Sequence, residues 1–236
     1  MNYIVIPAYQ PDNKLIKLIE KIHEKSDFRI LVIDDGSSSK CQNIFDKAEQ
    51  YATVLRHQVN QGKGRALKTA FAYIQKQNSY GTVVTADADG QHKIWDIFRT
   101  ANKASENPNK LILGVRAFTG KVPLRSRFGN SLTKVLFKLQ TGVGVTDTQT
   151  GLRAFTTNLI PFMLKIEEQR YEYEMNMLLE ATKEYQILEV PIETVYINDN
   201  EGSHFRPIKD GLMIYKNIFK FALSSLSSFV VDYLVY

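Results

Sequence analysis

Asp87-Ala88-Asp89-Gly90-Gln91-His92 follows directly on the apolar run from Gly81 to Ala86. Two carboxylates one residue apart at a strand's C-terminal end project into the crevice where open α/β sheets bind ligands. There they can hold a divalent cation against phosphate oxygens. A lone pair of this kind also reads as solvated turn carboxylates. Asp34-Asp35-Gly36-Ser37 closes an earlier apolar run. A carboxylate there can accept hydrogen bonds from a ribose or a base edge, Gly36 permits a tight turn, and Ser37 can cap the next helix. A plain turn reads the same way. Asn60-Gln61-Gly62-Lys63-Gly64-Arg65 opens a helical pattern, where backbone N–H groups and the dipole favour anions. Helix-on-sheet packing explains its glycines equally well, and the Walker spacing of a P-loop ATPase is missing.

Further along, Arg116, Lys121, Arg125, Arg127, Lys134 and Lys138 occupy a stretch without an acidic residue. A net charge of +5 suits an anionic partner. No helix-turn-helix, zinc pattern or interleaved aromatic platform accompanies it, so no nucleic-acid partner is expected. Glu174 reads either as a helix-start glutamate or as a general base, and His92 either as a pocket residue near a metal or as a turn histidine. Ser203-His204-Phe205-Arg206-Pro207 fits a lid, a membrane contact or an ordinary polar loop.

These residues need elements to hold them, and the first half supplies alternating strand and helix patterns. Strands are expected at Tyr3 to Pro7, Phe28 to Ile33, Thr53 to Arg56 and Thr82 to Thr85. Helices are expected at Leu15 to Ile22, Ile44 to Ala52 and Gly62 to Ile74. In the second half, Leu111 to Val115 and Leu152 to Thr156 read as strands. Phe128 to Leu139 reads as a basic amphipathic helix, Met175 to Tyr185 as a helix, and Ile187 to Ile197 as a strand pair or a strand bent at Pro191. The 236 residues, 44% hydrophobic and 23% charged, suit one large α/β domain over residues 1–208. The single cysteine, Cys41, excludes an intrachain disulfide and fits a reducing compartment, and Met1 leads into a strand pattern instead of a signal peptide. Residues 209–236 form a C-terminal tail in which Lys209, Lys216 and Lys220 come before an uncharged apolar core, Phe221 to Val231. It fits a helix on the membrane surface, the start of a transmembrane segment, or a core helix.

The order Ile6-Pro7-Ala8-Tyr9, Asp34-Asp35-Gly36-Ser37, Asn60-Gln61-Gly62-Lys63-Gly64, Asp87-Ala88-Asp89-Gly90-Gln91-His92 is far more specific than any single member. Over nearly the whole chain it resembles family 2 glycosyltransferases of the GT-A fold. Within them it is most similar to the polyprenyl-phosphate group of dolichyl-phosphate mannose synthase and bacterial undecaprenyl-phosphate glucosyltransferases, often joined to a GtrA-type membrane domain. The resemblance implies a Rossmann-like, mostly parallel sheet flanked by helices. It implies that Pro7, Ala8, Tyr9, Asp35, Gly62, Lys63 and Asp87 border the donor nucleotide, and that Asp87, Asp89 and Gln91 face Mg²⁺ or Mn²⁺. Asp89, Arg116 and Arg127 would carry the chemistry, Arg116 on the phosphates. Arg125, Arg127 and Ser131 would receive the lipid phosphate, the last two sharing a helix face. Thr146 to Phe155 resembles the segment shaping the acceptor side, with a Thr where many relatives carry Cys.

The expected reaction is inverting transfer of a hexose or N-acetylhexosamine from a nucleoside diphosphate sugar, with UDP favoured, to undecaprenyl or another polyprenyl phosphate. Its setting would be the cytoplasmic face of the cell membrane, for glycosylation of cell-envelope polymers. Association with the membrane surface and a homo-oligomer are further expectations. Two alternatives stand beside it: a family 2 transferase acting on a sugar hydroxyl of a polysaccharide or protein, and a non-catalytic nucleotide-sugar-binding module recruited to the membrane.

Overall fold

The structure is a computed structural model, which describes residues 1–116, 133–135, 137–167, 170 and 172–193. Seven strands form one sheet: β1 (Tyr3–Ala8), β2 (Arg29–Asp34), β3 (Thr53–Arg56), β4 (Thr82–Thr85), β5 (Lys110–Arg116), β6 (Arg153–Thr156) and β7 (Gln186–Ile192). Their order is β3-β2-β1-β4-β6-β5-β7. β6 runs antiparallel to β4 and β5, while every other pairing is parallel.

The strands read as apolar runs because helices cover both faces. Ile4, Ile6 and Ala8 of β1 join Ile30, Val32 and Val84 in a cluster under α1 (Asn13–Lys25), α2 (Gln42–Ala48) and α4 (Ile94–Glu106). Leu15, Leu18, Ile19 and Ile22 supply the buried stripe of α1, and Asp12 caps it by accepting from Lys14 N at 2.8 Å. On the opposite face, α3 (Lys63–Lys76) packs against β1 and β2 and against α5 (Ile160–Lys165) and α6 (Glu172–Glu184). There Phe71 meets Phe155 edge-on at 5.4 Å.

The first-half strands lie where the patterning puts them, and two features, α4 and Ser37, differ from expectation. The sequence reading had no element at α4, yet Ile97, Ala101 and Ala104 are buried at helical spacing. Ser37 does not cap a helix: its hydroxyl accepts from Gln10 N at 2.9 Å, and its own N–H donates to Asp34 Oδ1 at 2.8 Å. β7 continues through Pro191, an edge-strand residue whose carbonyl turns away from the sheet to accept from Arg99. Residues 133–135 and 137–141 are helical, in line with the expected basic helix. Arg125, Arg127 and Ser131, the 203–207 stretch and the tail at 209–236 lie outside the described residues. Among the described residues no helix is long and apolar enough to cross a membrane.

Candidate active site

The chain builds β1, β2 and β3 outward in one direction, then returns to place β4 on the other side of β1. The carboxyl ends of β1 and β4 therefore flank a topological switch point, the crevice where open α/β sheets take their ligands. Pro7 and Ala8 end β1 there, with Tyr9 exposed just beyond, and Asp87 to Asp89 follow β4. Pro7 is tolerated inside this central strand for a local reason. Val5 O accepts from Ala86 N, so odd residues of β1 turn toward β4, and β4 stops at Thr85 before Pro7 would need to donate.

Asp35 follows β2 and is 3% exposed. Its Oδ1 accepts from Gln61 N at 2.9 Å and faces His57 Nδ1 at 2.7 Å. Its Oδ2 accepts from Gly62 N at 2.8 Å and Asn60 Nδ2 at 3.0 Å. Four partners fill the acceptor capacity of a carboxylate. Asp35, expected to border the donor nucleotide, thereby clamps the 57–62 loop against the start of α3. His57 carries the clamp onward, with Nε2 2.9 Å from Thr69 Oγ1 on α3. Gly36 allows the fit, because its φ is +72° and a Cβ would stand 2.2 Å from the Val59 carbonyl carbon.

Asp87 is built differently. Its Oδ1 meets Lys63 Nζ at 2.7 Å, and its Oδ2 lies 3.4 Å from His92 Nε2. Lys63 in turn contacts Glu174 Oε2 at 2.9 Å. Burial alone would raise the Asp87 carboxyl, but the Lys63 ammonium and His92 hold it far below the usual carboxylate range. Burial likewise works against the Lys63 charge, and the two carboxylates outweigh it, so the ammonium stays protonated. Among the described residues Asp89 has no such cation: burial first and the Asp87 charge second push its carboxyl upward. Its hydrogen bond from Gln91 N at 3.0 Å is local to the turn.

The segment before β6 closes this side of the site. A Cβ on Gly151 would stand 2.3 Å from Asp87 Oδ2, so only glycine lets the loop lie against that carboxylate. Thr85 Oγ1 donates to Gly151 O at 2.8 Å, and Thr150 Oγ1 to Gly114 O at 2.6 Å. Arg116, expected on the phosphates, forks onto Asp147 through Nε at 2.6 Å and Nη2 at 2.9 Å. Asp147 is fully buried and also accepts from Gln149 N at 3.1 Å. Arg153 lies buried in β6 and donates to the carbonyls of Thr150, Thr148 and Glu174. The structural roles of His57, Asp147, Gly151 and Arg153 escaped the sequence reading, because each depends on a partner brought from a distant segment.

Among the described residues no three His, Cys, Asp or Glu side chains converge as a metal cage. The donor set fits an ion that takes one or two carboxylates and completes its shell with substrate oxygens. Asp89, short of counter-charge, is the carboxylate suited to it, since Asp87 is already paired with Lys63.

Comparison with known proteins agrees with this geometry. The family model described as Glycosyl transferase family 2 matches residues 3–162. The UDP-N-acetylglucosamine–dolichyl-phosphate N-acetylglucosaminyltransferase of Methanococcus voltae is 28% identical over 217 residues, covering 82% of this chain and 85% of that protein. The undecaprenyl-phosphate 4-deoxy-4-formamido-L-arabinose transferase of Shewanella sediminis is 27% identical over 175 residues, covering 70% of this chain and 51% of that protein. In fold, the chain is similar to the glucosyl-3-phosphoglycerate synthase of Mycobacterium tuberculosis, crystallised with Mn²⁺, UDP-glucose and phosphoglyceric acid. The TM-score is 0.68 over 95% of this chain and 79% of that chain, at 18% identity. The fold is thus the GT-A arrangement, a mostly parallel sheet flanked by helices.

Proposed function

This chain belongs to glycosyl transferase family 2, and on that premise we propose that it moves a hexose or N-acetylhexosamine from a nucleoside diphosphate sugar to a polyprenyl phosphate, with inversion. The cytoplasmic face of the membrane, where such a lipid can meet a nucleotide sugar, is the proposed setting. The observation that carries the reading is the contrast within Asp87-Ala88-Asp89: one carboxylate is paired by Lys63, the other is short of positive charge, and both stand at the switch point. The names of two relatives point to a lipid phosphate as acceptor, and one of them to a UDP-sugar as donor.

Asp89, with Gln91 beside it, would hold Mg²⁺ or Mn²⁺. When bound, the ion supplies charge neutralisation for the departing diphosphate. Pro7, Ala8 and Tyr9 border the nucleoside at the end of β1. Lys63 keeps Asp87 ionised. Arg116, oriented by Asp147, places a permanent positive charge at the end of β5. Arg125, Arg127 and Ser131 are proposed to receive the lipid phosphate.

In the reaction, an oxygen of that phosphate attacks the anomeric carbon. The bond from this carbon to the diphosphate oxygen breaks, and its electron pair leaves with the nucleoside diphosphate. A phosphate monoester has its second pKa near ~6, so the nucleophile is already largely ionised at neutral pH and no strong base is needed. Glu174, the alternative base, is tied by one oxygen to the Lys63 ammonium.

The test is nucleoside diphosphate release from a panel of UDP- and GDP-sugars, with Mg²⁺ or Mn²⁺, with and without polyprenyl phosphate in detergent. Release from one donor that requires both cation and lipid phosphate is expected. Release that a polysaccharide supports in place of the lipid would move the assignment to a hydroxyl acceptor. No release under any condition would favour the binding module.

A further inference from the structure

Among the described residues, Gln10, Asn78 and Asn109 carry a side chain at a positive φ, of 51°, 46° and 64°. The two asparagines belong to a residue type that enters the left-handed region readily. Asn78 does so just past the end of α3, where helices commonly close in that way. Neither account covers Gln10. It lies inside the connection from β1 to α1, at the carboxyl ends of the strands and next to Tyr9. Its long side chain gives its own backbone no help, so the neighbouring chain must impose the conformation.

The loop after β2 does this at both ends of the residue. Gln10 N donates to Ser37 Oγ at 2.9 Å, which holds the backbone. Gln10 Oε1 accepts from Ser38 Oγ at 2.9 Å and from Cys41 Sγ at 3.3 Å, which uses both acceptor sites of the oxygen and holds the side chain. On the other side of Tyr9, Ala8 O accepts from Asp35 N at 2.9 Å. The residues flanking Tyr9 are thus both tied to the segment that follows β2, while Tyr9 itself is 39% exposed beside the switch point. Backbone strain persists only where the surroundings over-determine it, and it collects at ligand sites. Taking the nucleotide-sugar reading of this site as its basis, we propose that Gln10 is a positioning residue for the donor nucleoside. Its left-handed conformation, locked by Ser37, Ser38 and Cys41, holds Tyr9 in the orientation that borders the nucleoside.

The experiment measures affinity for UDP and for GDP by calorimetry in the wild type, Gln10→Ala and Gln10→Gly, each with Tyr9 in place and with Tyr9→Ala. For the nucleotide that the wild type binds, Gln10→Ala should weaken affinity about 10-fold, because an untethered alanine mostly leaves the left-handed region and only the competent fraction binds. Gln10→Gly enters that region without penalty and should lose under about 3-fold. With Tyr9→Ala present, the Gln10→Ala effect should shrink to under about 2-fold, as for two residues acting as a unit. Donor KM should rise in step with the calorimetric loss while kcat stays within about 2-fold, since the bound state itself is unchanged. Equal losses in the alanine and glycine variants would overturn the proposal, as would a Gln10→Ala loss that adds in full to that of Tyr9→Ala. A fall in kcat at unchanged nucleotide affinity would also overturn it and leave Gln10 a purely structural residue. Should the Gln10 variants not fold, Ser38→Ala decides, since it removes one exposed partner of Gln10 Oε1. It should weaken the nucleotide about 2- to 3-fold with Tyr9 in place and not with Tyr9→Ala. A wild type that binds neither UDP nor GDP would be a failure of the nucleotide-sugar reading. Unaltered binding in every Gln10 variant would leave that reading standing and overturn this proposal alone.

Discussion

Asp34-Asp35 at the end of β2 and Asp87-Ala88-Asp89 after β4 close two strands on either side of β1, and the two turns are finished in opposite ways. Asp35 is surrounded by four donors from its own chain. Among the described residues Asp89 has one local backbone partner, and its carboxyl is raised by burial and by Asp87. Identical residue types at equivalent ends of one sheet thus do different work. A saturated carboxylate stores stability, while an undersatisfied one is the better candidate for a ligand.

The sharpest way to break this contrast is to remove each carboxylate. Asp35→Ala strands a buried histidine and two backbone N–H groups, and should cost about 3–5 kcal/mol of stability in urea unfolding. Asp89→Ala should lower sugar transfer about 100- to 1,000-fold, with a thermal midpoint close to that of the wild type. If the two variants showed the reverse pattern, the division of labour would be wrong.

Matched glycine substitutions sharpen it further. At Gly36 an added Cβ meets Val59 backbone at a positive φ, so Gly36→Ala should destabilise by about 2–4 kcal/mol, read from denaturant midpoints. At Gly151 the Cβ meets the Asp87 carboxylate, a side chain that can move aside. Gly151→Ala should therefore cost only about 1–2 kcal/mol of stability. Its main effect should be on kcat/KM, because Asp87 is displaced. Equal stability losses at the two glycines would show that Asp87 is as structural as Asp35.

The same contrast explains what the sequence could show. Asp87 and Asp89 were legible because their chemistry lies within three residues of each other, directly behind an apolar run. The saturation of Asp35 was not, since His57, Asn60, Gln61 and Gly62 arrive through the β3-to-α3 connection, 22 to 27 residues later. The Arg116–Asp147 fork spans 31 residues and runs between β5 and the segment before β6. Nothing in either local pattern predicts that the arginine pairs with an internal carboxylate. α4 is a different kind of omission. Its Ile94, Ile97, Phe98, Ala101 and Ala104 carry a readable helical period, masked by the metal-type motif that runs straight into it. The antiparallel entry of β6 has no local signature, because strand direction is set by which segment fills the gap between β4 and β5.

The most direct test of the account follows a labelled sugar from its nucleoside diphosphate donor into the organic phase, with polyprenyl phosphate and a divalent cation present. The account predicts a single extractable glycolipid whose formation needs the cation and is abolished by Asp89→Ala. Label recovered only as free sugar, or in a polymer formed without the lipid phosphate, would contradict it.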